Sequence, residues 1–232
     1  MAVVDTYRAV EDSASRYSEK RERMIRETLV ARGIGDARVL AAMGTVPREE
    51  FVPQQFQSEA YGDCPLPIGS GQTVAQPYTV AFMVEALQLK GPERVLEIGT
   101  GSGYGAAVLA HLANEVHTVE RILLLAQQAQ NRLVRLGYRG VHVHAADGTL
   151  GLPSCAPFDA IVVTAGAKQL PQAYHTQLAE GGRIVIPIGS NPSSQKLYRF
   201  TRQGHQLVKE DLGQFAFVPL IGKHGWPADT VS

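Results

Sequence analysis

Several features that would assign whole classes of protein are missing from this 232-residue sequence. No apolar run approaches the roughly 20 residues that a membrane-spanning helix needs, and the N-terminus shows no apolar run followed by a small-residue cleavage site. The 22 basic and 22 acidic side chains cancel to a formal net charge of zero, so we expect no polybasic face for nucleic acid or anionic lipid. These absences predict a cytoplasmic protein without a nucleic-acid or membrane partner.

Cysteine is scarce as well. Cys64 and Cys155 lie far apart in the chain and do not make a disulfide framework, which again fits a reducing cytoplasm. His142 and His144 alternate on a predicted strand and share one face, but no cysteine, aspartate or third histidine stands at ligand spacing from them. We therefore predict no metal site.

The N-terminal part has helical patterns. The first 20 or so residues are polar and are expected to fray. Helices are predicted from about Ser18 to Arg32, ended by Gly33, and again after Asp36, which is a suitable cap. We therefore predict that residues 1–60 form a helical extension to a main domain at 61–232. The glycines and prolines between 61 and 76 predict a loop.

From Pro77 onwards the pattern changes to alternating helices and apolar strands. The strands are predicted at 94–99, 116–120, 141–147, 159–166 and 183–189. Near-continuous apolar runs separated by helices are typical of a mostly parallel, doubly wound α/β fold. The tail lacks a helical period and predicts an antiparallel hairpin at the sheet edge, turning at Gln203-Gly204. The apolar residues lie on the predicted core faces and leave none for a subunit interface, which favours a monomer.

The stretch "VLEIGTGSGYG" at 95–105 is the most informative one. It follows a predicted strand and opens a helix, and Gly99, Gly101 and Gly103 allow a sharp turn against a ligand. Glu120 ends the next strand, where an acid can accept both hydroxyls of a ribose. These features predict a nucleotide site; the alternative is a tight turn beside a solvated glutamate.

The acids near this loop indicate which nucleotide binds. Glu97, at the end of the strand, would repel a pyrophosphate but would attract ammonium and sulfonium groups. This favours S-adenosylmethionine over a nicotinamide dinucleotide. Asp147, at the end of the third strand, could reach the adenine amino group, whereas Asp159 is as well explained by a surface position.

With these residues in place, the chain resembles the protein-L-isoaspartate O-methyltransferase family from about Met43 to Trp226. The resemblance rests on the stretches "VPREEFVP", "LPIGSGQTVAQPY", "VLEIGTGSGYGAAVLA", "VHTVER", "ADGTLG", "APFDAIVVTAGA", "LAEGGRIVIPIG" and "FVPLIGKHGW". It implies a class I methyltransferase fold with a seven-stranded, Rossmann-like sheet. It also implies S-adenosylmethionine as cofactor, S-adenosylhomocysteine as product, and isoaspartyl-containing proteins and peptides as partners. The methyl ester of the isoaspartyl carboxylate collapses to a succinimide, which hydrolyses partly to normal aspartate and so begins repair.

The resemblance also assigns roles to positions of this sequence. Cofactor binding is implied for Gln72, Thr73, Val74, Glu97, Gly99, Thr100, Gly101, Ser102, Gly103, Glu120, Arg121, Asp147, Gly148 and Thr164. Substrate binding is implied for Ala75, Tyr78, Ala165, Val218, Pro219, Leu220 and Ile221. The catalytic positions would be Ala75, where the family usually has a serine, and Thr73.

Ala75 is a departure from the family pattern, whose loop usually reads Gln-Thr-Ile-Ser. An isoaspartyl carboxylate is already ionised at neutral pH, with a pKa of about 4, and needs no general base, so alignment can supply most of the catalysis. We expect reduced or retargeted activity, with Thr73 or a water replacing the hydroxyl. Three alternatives stay open: a carboxyl methyltransferase for another peptide, a catalytically silent relative that binds cofactor and a partner, and, distantly, a nicotinamide oxidoreductase.

Overall fold

A computed structural model describes residues 16–191 and 194–227. The helices are α1 (16–24), α2 (Ala37–Thr45), α3 (Pro77–Ala86), α4 (Tyr104–Leu109), α5 (Leu123–Arg135) and α6 (Gln172–Gln177). The strands are β1 (Leu66–Gly69), β2 (Gln72–Val74), β3 (Arg94–Ile98), β4 (Glu115–Glu120), β5 (Val141–Ala145), β6 (Phe158–Val163), β7 (Leu178–Asn191), β8 (Ser194–Gln203) and β9 (Gln206–Phe215). In the described ranges no helix has the length and apolarity to cross a membrane.

Seven strands form the main sheet in the order β5-β4-β3-β6-β7-β8-β9. The first five are parallel, and β8 and β9 continue the sheet as an antiparallel hairpin. Both the doubly wound parallel sheet and the edge hairpin are confirmed. The chain moves outward from β3 to β5 and then returns to β6, so the strand order reverses between β3 and β6. Ligands of such sheets bind beyond the carboxyl ends of the strands at this point.

The N-terminal helices share a core with the sheet. The π-turn Ile25–Leu29 and the 3₁₀ turn Val30–Arg32 extend α1, and the Asp36 carboxylate caps α2 by accepting from two backbone N–H groups. The ring of Phe51 packs edge-on against Tyr104 of α4, with centroids 5.6 Å apart. Full burial of such a ring stabilises the fold by about 1.5–3 kcal/mol.

Fraying was predicted for the first 20 residues, and residues 1–15 lie outside the described ranges. Residues 16–20 are helical, so the prediction is wrong for them. The reason is tertiary contact: in the next turn of α1, Arg21 Nε donates to Tyr61 Oη over 2.7 Å and Nη2 reaches Glu49 over 3.2 Å. These bonds attach a polar helix to the body of the protein.

The predicted loop between 61 and 76 contains a short antiparallel hairpin formed by β1 and β2. Its turn uses Gly69 and Gly71, whose φ angles are +92° and +68°. The glycines that argue against regular structure in the sequence supply the left-handed conformations of the turn itself. Leu66 and Val74 pair across the hairpin and are buried, which fixes its register.

Candidate active site

The glycine loop connects β3 to α4 at the reversal of strand order. Gly99, Gly101 and Gly103 have φ angles of +101°, +52° and +90°, a region that favours glycine. A β-carbon at Gly99 would lie 2.3 Å from Thr164 Oγ1, and one at Gly105 would lie 2.2 Å from Glu97 Oε1. A larger residue at Gly99 or Gly105 would displace the side chain of Thr164 or Glu97, so both positions require glycine. We call the loop from Gly99 to Gly105 the glycine cradle.

Glu97 is buried at the base of the cradle. Its Oε2 accepts a hydrogen bond from Thr118 Oγ1 over 2.6 Å. Burial raises the pKa of Glu97, the Thr118 bond lowers it by less, and the nearby charge of Glu120 adds to the rise, which brings it to about 8. A cationic ligand beside Glu97 would favour the ionised form of this carboxyl group and would be attracted by its negative charge.

Glu120 lies at the end of β4 and contacts the loop directly. One carboxylate oxygen accepts from Gly101 N over 3.0 Å, and the other accepts from Ile122 N over 2.9 Å. An ionised carboxylate has about four lone-pair positions, so each oxygen can accept a further bond. Two adjacent ribose hydroxyls match that remaining capacity.

Two cavities meet at this cradle. A cleft of about 900 Å³ contains Glu97 and extends past Ala75, and a smaller cavity of about 70 Å³ lies beside Glu120. Ser102 Oγ, which belongs to a residue lining the large cleft, is buried without a hydrogen-bond partner among the described residues. An orphaned hydroxyl, a glycine cradle and two acids fit an adenosyl ligand that carries a ribose, an amino-acid group and a positive sulfur.

Nineteen of the 21 residues predicted for the site line one or both cavities. Those shared by both are Thr73, Gly99, Gly101, Thr164 and Val218. The large cleft adds Val74, Ala75, Tyr78, Glu97, Thr100 and Ser102. The smaller cavity adds Gln72, Glu120, Arg121, Gly148, Ala165, Pro219, Leu220 and Ile221.

The other two predicted residues, Gly103 and Asp147, have contacts elsewhere. Gly103 precedes α4, and a β-carbon there would lie 3.2 Å from Leu133 Cδ1. Asp147 accepts from Thr149 N, Thr149 Oγ1 and Lys223 N over 2.9, 2.7 and 2.8 Å. Burial raises the pKa of Asp147, but these bonds outweigh it and hold the pKa below its usual range. Its contact with an adenine stays a prediction.

Residues 217–221 form one wall of the site and, with the residues up to Trp226, are fixed through Gly166. Gly166 N donates to Val218 O, and Gly166 O accepts from Leu220 N, each over 2.8 Å. Trp226 Nε1 donates to the same Gly166 oxygen over 2.9 Å. This ladder and the Asp147–Lys223 bond hold the wall against the end of β6.

Arg48 is not among the predicted site residues, yet its side chain supports the loop at Ala75. The side chain is fully buried, and it donates from Nε to Ala60 O over 2.7 Å and from Nη2 to Ala75 O over 2.8 Å. Its only signal in the sequence is a basic residue in the stretch "VPREEFVP", where the run of three charged residues looks like an ordinary surface turn.

Tyr78 is among the predicted substrate-binding residues, but the row of aromatic rings that it begins along the cleft is not predicted. The rings of Tyr78, Phe82, Phe215 and Phe217 follow one another with centroid separations of 5.8, 5.2 and 6.3 Å. All four residues line the large cleft. They come from α3 and from the segment around the end of β9, so no local pattern could bring them together.

The premise for predicting no metal site, that no cysteine or third histidine is near His142 and His144, is wrong. His117 and Cys155 lie beside His144. The parallel register of β4 and β5 places His117 next to His142 and His144. The segment between β5 and β6 then places Cys155 beside His144. Spacing along the sequence could not reveal this.

Comparisons with known proteins agree on one family. A model of the family described as protein-L-isoaspartate(D-aspartate) O-methyltransferase (PCMT) matches residues 19–225. The chain is 54% identical over 218 residues to protein-L-isoaspartate O-methyltransferase 1 of Rhodopseudomonas palustris, covering 94% of this chain and 89% of that protein. It is 56% identical over 211 residues to protein-L-isoaspartate O-methyltransferase 2 of Marinobacter nauticus, covering 90% and 96%.

Solved structures give the same result for the fold. One protein-L-isoaspartate O-methyltransferase superposes with a TM-score of 0.78 at 31% identity, covering 88% of this chain and 67% of that one. A Plasmodium falciparum protein, described as a putative member in complex with S-adenosyl-L-homocysteine, superposes with a TM-score of 0.76 at 27% identity. That alignment covers 87% of this chain and 98% of the other.

Proposed function

The chain belongs to the protein-L-isoaspartate(D-aspartate) O-methyltransferase family, and we propose that it methylates the free carboxylate of L-isoaspartyl residues in damaged proteins. The methyl donor is S-adenosylmethionine, whose sulfonium supplies an activated methyl group when bound. The observation that carries the proposal is the arrangement of Glu97 and Glu120 around the glycine cradle, which opens into the cleft beside Ala75.

The acids and the loop orient the cofactor in this proposal. The Glu120 carboxylate accepts hydrogen bonds from the ribose hydroxyls. Ser102 Oγ donates a hydrogen bond to the amino-acid end of the cofactor, which gives this buried hydroxyl a partner. Glu97 provides negative charge near the ammonium and sulfonium groups. Because the donor is already activated, the residues need only hold the methyl group towards the open cleft.

The acceptor carboxylate reaches the methyl group from the side of the cleft. Its pKa is about 4, so it is ionised at neutral pH and attacks without a general base. Thr73 lines both cavities, which supports a role for its hydroxyl between the cofactor and the acceptor. Thr73 therefore orients the carboxylate in place of the serine that the family usually has at position 75.

The shape of the cleft suits a peptide. About 900 Å³ of open space exceeds what one modified side chain fills, and the aromatic row provides a continuous apolar wall. Apolar residues that flank the isoaspartyl residue can pack on Tyr78, Phe82, Phe215 and Phe217. We propose that the substrates are unfolded or mobile segments in extended conformation.

Transfer of labelled methyl groups tests the proposal. Two matched peptides that differ only in an isoaspartyl or aspartyl residue are incubated with labelled S-adenosylmethionine. Base-labile label on the isoaspartyl peptide alone is the expected result. Label on the aspartyl peptide as well would indicate a different carboxyl acceptor, and binding of cofactor without transfer to either peptide would indicate a silent relative.

We also propose that the chain acts as a monomer in the cytoplasm. The large apolar side chains with high exposure in the described ranges come from four separate segments, and only Leu123 and Leu124 are adjacent in sequence: Val30, Leu123, Leu124, Val134, Leu150 and Val208. Single exposed apolar residues are normal on a monomer. Light scattering during size-exclusion chromatography should give a mass near 25.1 kDa; a mass of twice that value would overturn the monomer.

A further inference from the structure

A cluster of histidines and a cysteine lies on the sheet away from the cleft. Nδ1 of His117 on β4 is 3.1 Å from Nε2 of His144 on β5. Cys155 ends the 3₁₀ turn Pro153–Cys155 that precedes β6. The two imidazoles and the thiol offer one ligand atom each, all within 4.8 Å of one another. None of the three residues lines either cavity of the proposed active site.

The 3.1 Å separation of the two imidazole nitrogens is close to that in a tetrahedral metal site, and the thiol sulfur lies within 4.8 Å of both. In such a site two imidazole nitrogens lie about 3.3 Å apart, and a thiolate sulfur lies about 3.6 Å from each of them. Small rotations of the side chains would therefore bring all three atoms to one ion. Two imidazoles and a thiolate suit zinc and exclude the hard cations calcium and magnesium.

The neighbouring residues orient the cluster in the way that metal ligands require. Nε2 of His117 donates to Glu115 Oε1 over 3.0 Å, and Arg94 Nε donates to Glu115 Oε2 over 2.8 Å. A carboxylate that accepts from the far nitrogen of an imidazole is the usual partner of a metal-bound histidine. Arg94 also donates from Nη1 to Cys155 O over 3.3 Å, so one arginine joins both sides of the cluster.

The hydrogen bonds also determine where the protons are. Because Glu115 can only accept, His117 carries its proton on Nε2, and its Nδ1 presents a lone pair towards His144. His117 is only 6% exposed, whereas His144 and Cys155 are half-buried, so an ion can enter from that side.

We propose that His117 Nδ1, His144 Nε2 and Cys155 Sγ bind one Zn²⁺ ion, with water at the fourth position and Glu115 as the orienting carboxylate. On binding, His144 moves its proton from Nε2 to Nδ1, and the Cys155 thiol releases one proton to solvent. The ion ties β4, β5 and the turn before β6 together on a face where 3₁₀ turns connect the strands.

Cobalt is the probe for this site. The full-length chain, treated with chelator and reduced, is titrated with Co²⁺ and followed by absorption. One equivalent should produce a thiolate-to-cobalt charge-transfer band in the near ultraviolet and intense visible bands of tetrahedral cobalt. Zn²⁺ should abolish both when added afterwards. Absence of the near-ultraviolet band at millimolar Co²⁺ would overturn the proposal.

Variants test the ligand set. Cys155→Ser should remove the charge-transfer band, while Cys64→Ser, at the other and exposed cysteine, should keep it. His144→Gln should weaken cobalt binding at least tenfold, and Glu115→Gln should weaken it by about ten- to a hundredfold. Thermal unfolding without metal verifies that each variant folds. Unchanged cobalt affinity and spectrum in Cys155→Ser would overturn the site even if the His144 variant fails to fold.

Discussion

Nη2 of Arg48 donates a hydrogen bond to the carbonyl oxygen of Ala75 over 2.8 Å. The guanidinium is fully buried, and its central carbon lies 4.7 Å from the centre of the Tyr104 ring. Tyr104 and Ala75 both line the cleft. One buried side chain thus fixes the backbone at position 75 and packs on a second residue of the cleft.

Replacing Arg48 by Met should loosen this loop. Two backbone carbonyls lose their donor, while removal of a buried charge offsets part of the cost, so we expect the free energy of unfolding to fall by about 1–3 kcal/mol. The KM for an isoaspartyl peptide should rise several-fold, because the loop at Ala75 is no longer held. Urea unfolding and steady-state kinetics measure the two effects.

Arg38→Met is the control for Arg48→Met, at an arginine that is exposed rather than buried. Arg38 also donates to two backbone carbonyls, those of Leu89 and Leu112 over 2.8 and 3.0 Å, and it does not line the cleft. This variant should lose stability and keep the wild-type peptide KM. An equal rise of KM in both variants would mean that the Arg48 effect is general destabilisation.

Ala75→Ser should increase turnover of an isoaspartyl peptide. A hydroxyl at this position can donate to the acceptor carboxylate, and one such bond is worth about 1–3 kcal/mol, or about ten- to a hundredfold in kcat/KM. Ala75→Cys adds a side chain of similar shape with a weak donor and should give little increase. If serine lowers kcat/KM, or if cysteine raises it equally, position 75 serves as a small spacer and Thr73 already orients the carboxylate.

Much of this architecture could be predicted from the sequence because it depends on local signals. The strand, glycine loop and helix around Gly99 follow directly from apolar runs and glycine spacing, and the acid at Glu120 follows from its place after a strand. The hairpin at 66–74 was harder to predict, since Gly69 and Gly71 indicate a turn without indicating that its flanking residues pair.

The features that the sequence could not reveal depend on contacts between distant residues. Arg48 reaches Ala75 across 27 positions of the chain, and its role depends on burial that a basic residue does not predict. His117 and Cys155 come together only through the parallel register of β4 with β5 and the path of the chain to β6. Such juxtapositions require the tertiary structure.

Phe82→Ala should weaken peptide binding selectively. Phe82 is in the middle of the aromatic row, with ring centroids 5.8 Å from Tyr78 and 5.2 Å from Phe215. Its loss interrupts the apolar wall, so the KM of peptides with apolar residues beside the isoaspartyl residue should rise about tenfold, as expected for the loss of roughly 1.4 kcal/mol of contact. Cofactor affinity should not change.

Phe82→Leu retains most of the side-chain volume and should have a smaller effect. In Phe82→Ala, an equal KM for peptides with polar and with apolar flanking residues would contradict the assignment.

The buried carboxyl of Glu97 should make the cofactor-free protein less stable as pH rises. Its pKa is about 8 in the folded chain and 4.5 in the reference state. Between these values the folded chain holds a proton that the unfolded chain has released, so the free energy of unfolding falls with increasing pH. Glu97→Gln removes this contribution. Its stability relative to wild type should be higher at pH 8.5 than at pH 4, measured by urea unfolding. Parallel pH profiles for the two proteins would contradict the raised pKa.

Cofactor binding should release a proton from the same group. At pH 7 the Glu97 carboxyl of the free protein is mostly protonated, because its pKa is about 8, and an ammonium and a sulfonium nearby favour the ionised form. Calorimetric titration with S-adenosylmethionine in two buffers of different ionisation enthalpy counts the protons released. We expect the wild type to release nearly one proton more than Glu97→Gln at pH 7, and the two proteins to differ little at pH 9. Enthalpies for the wild type that do not depend on the buffer at pH 7 would show that Glu97 does not respond to the cofactor's charge, and its place at the base of the cradle would then be structural.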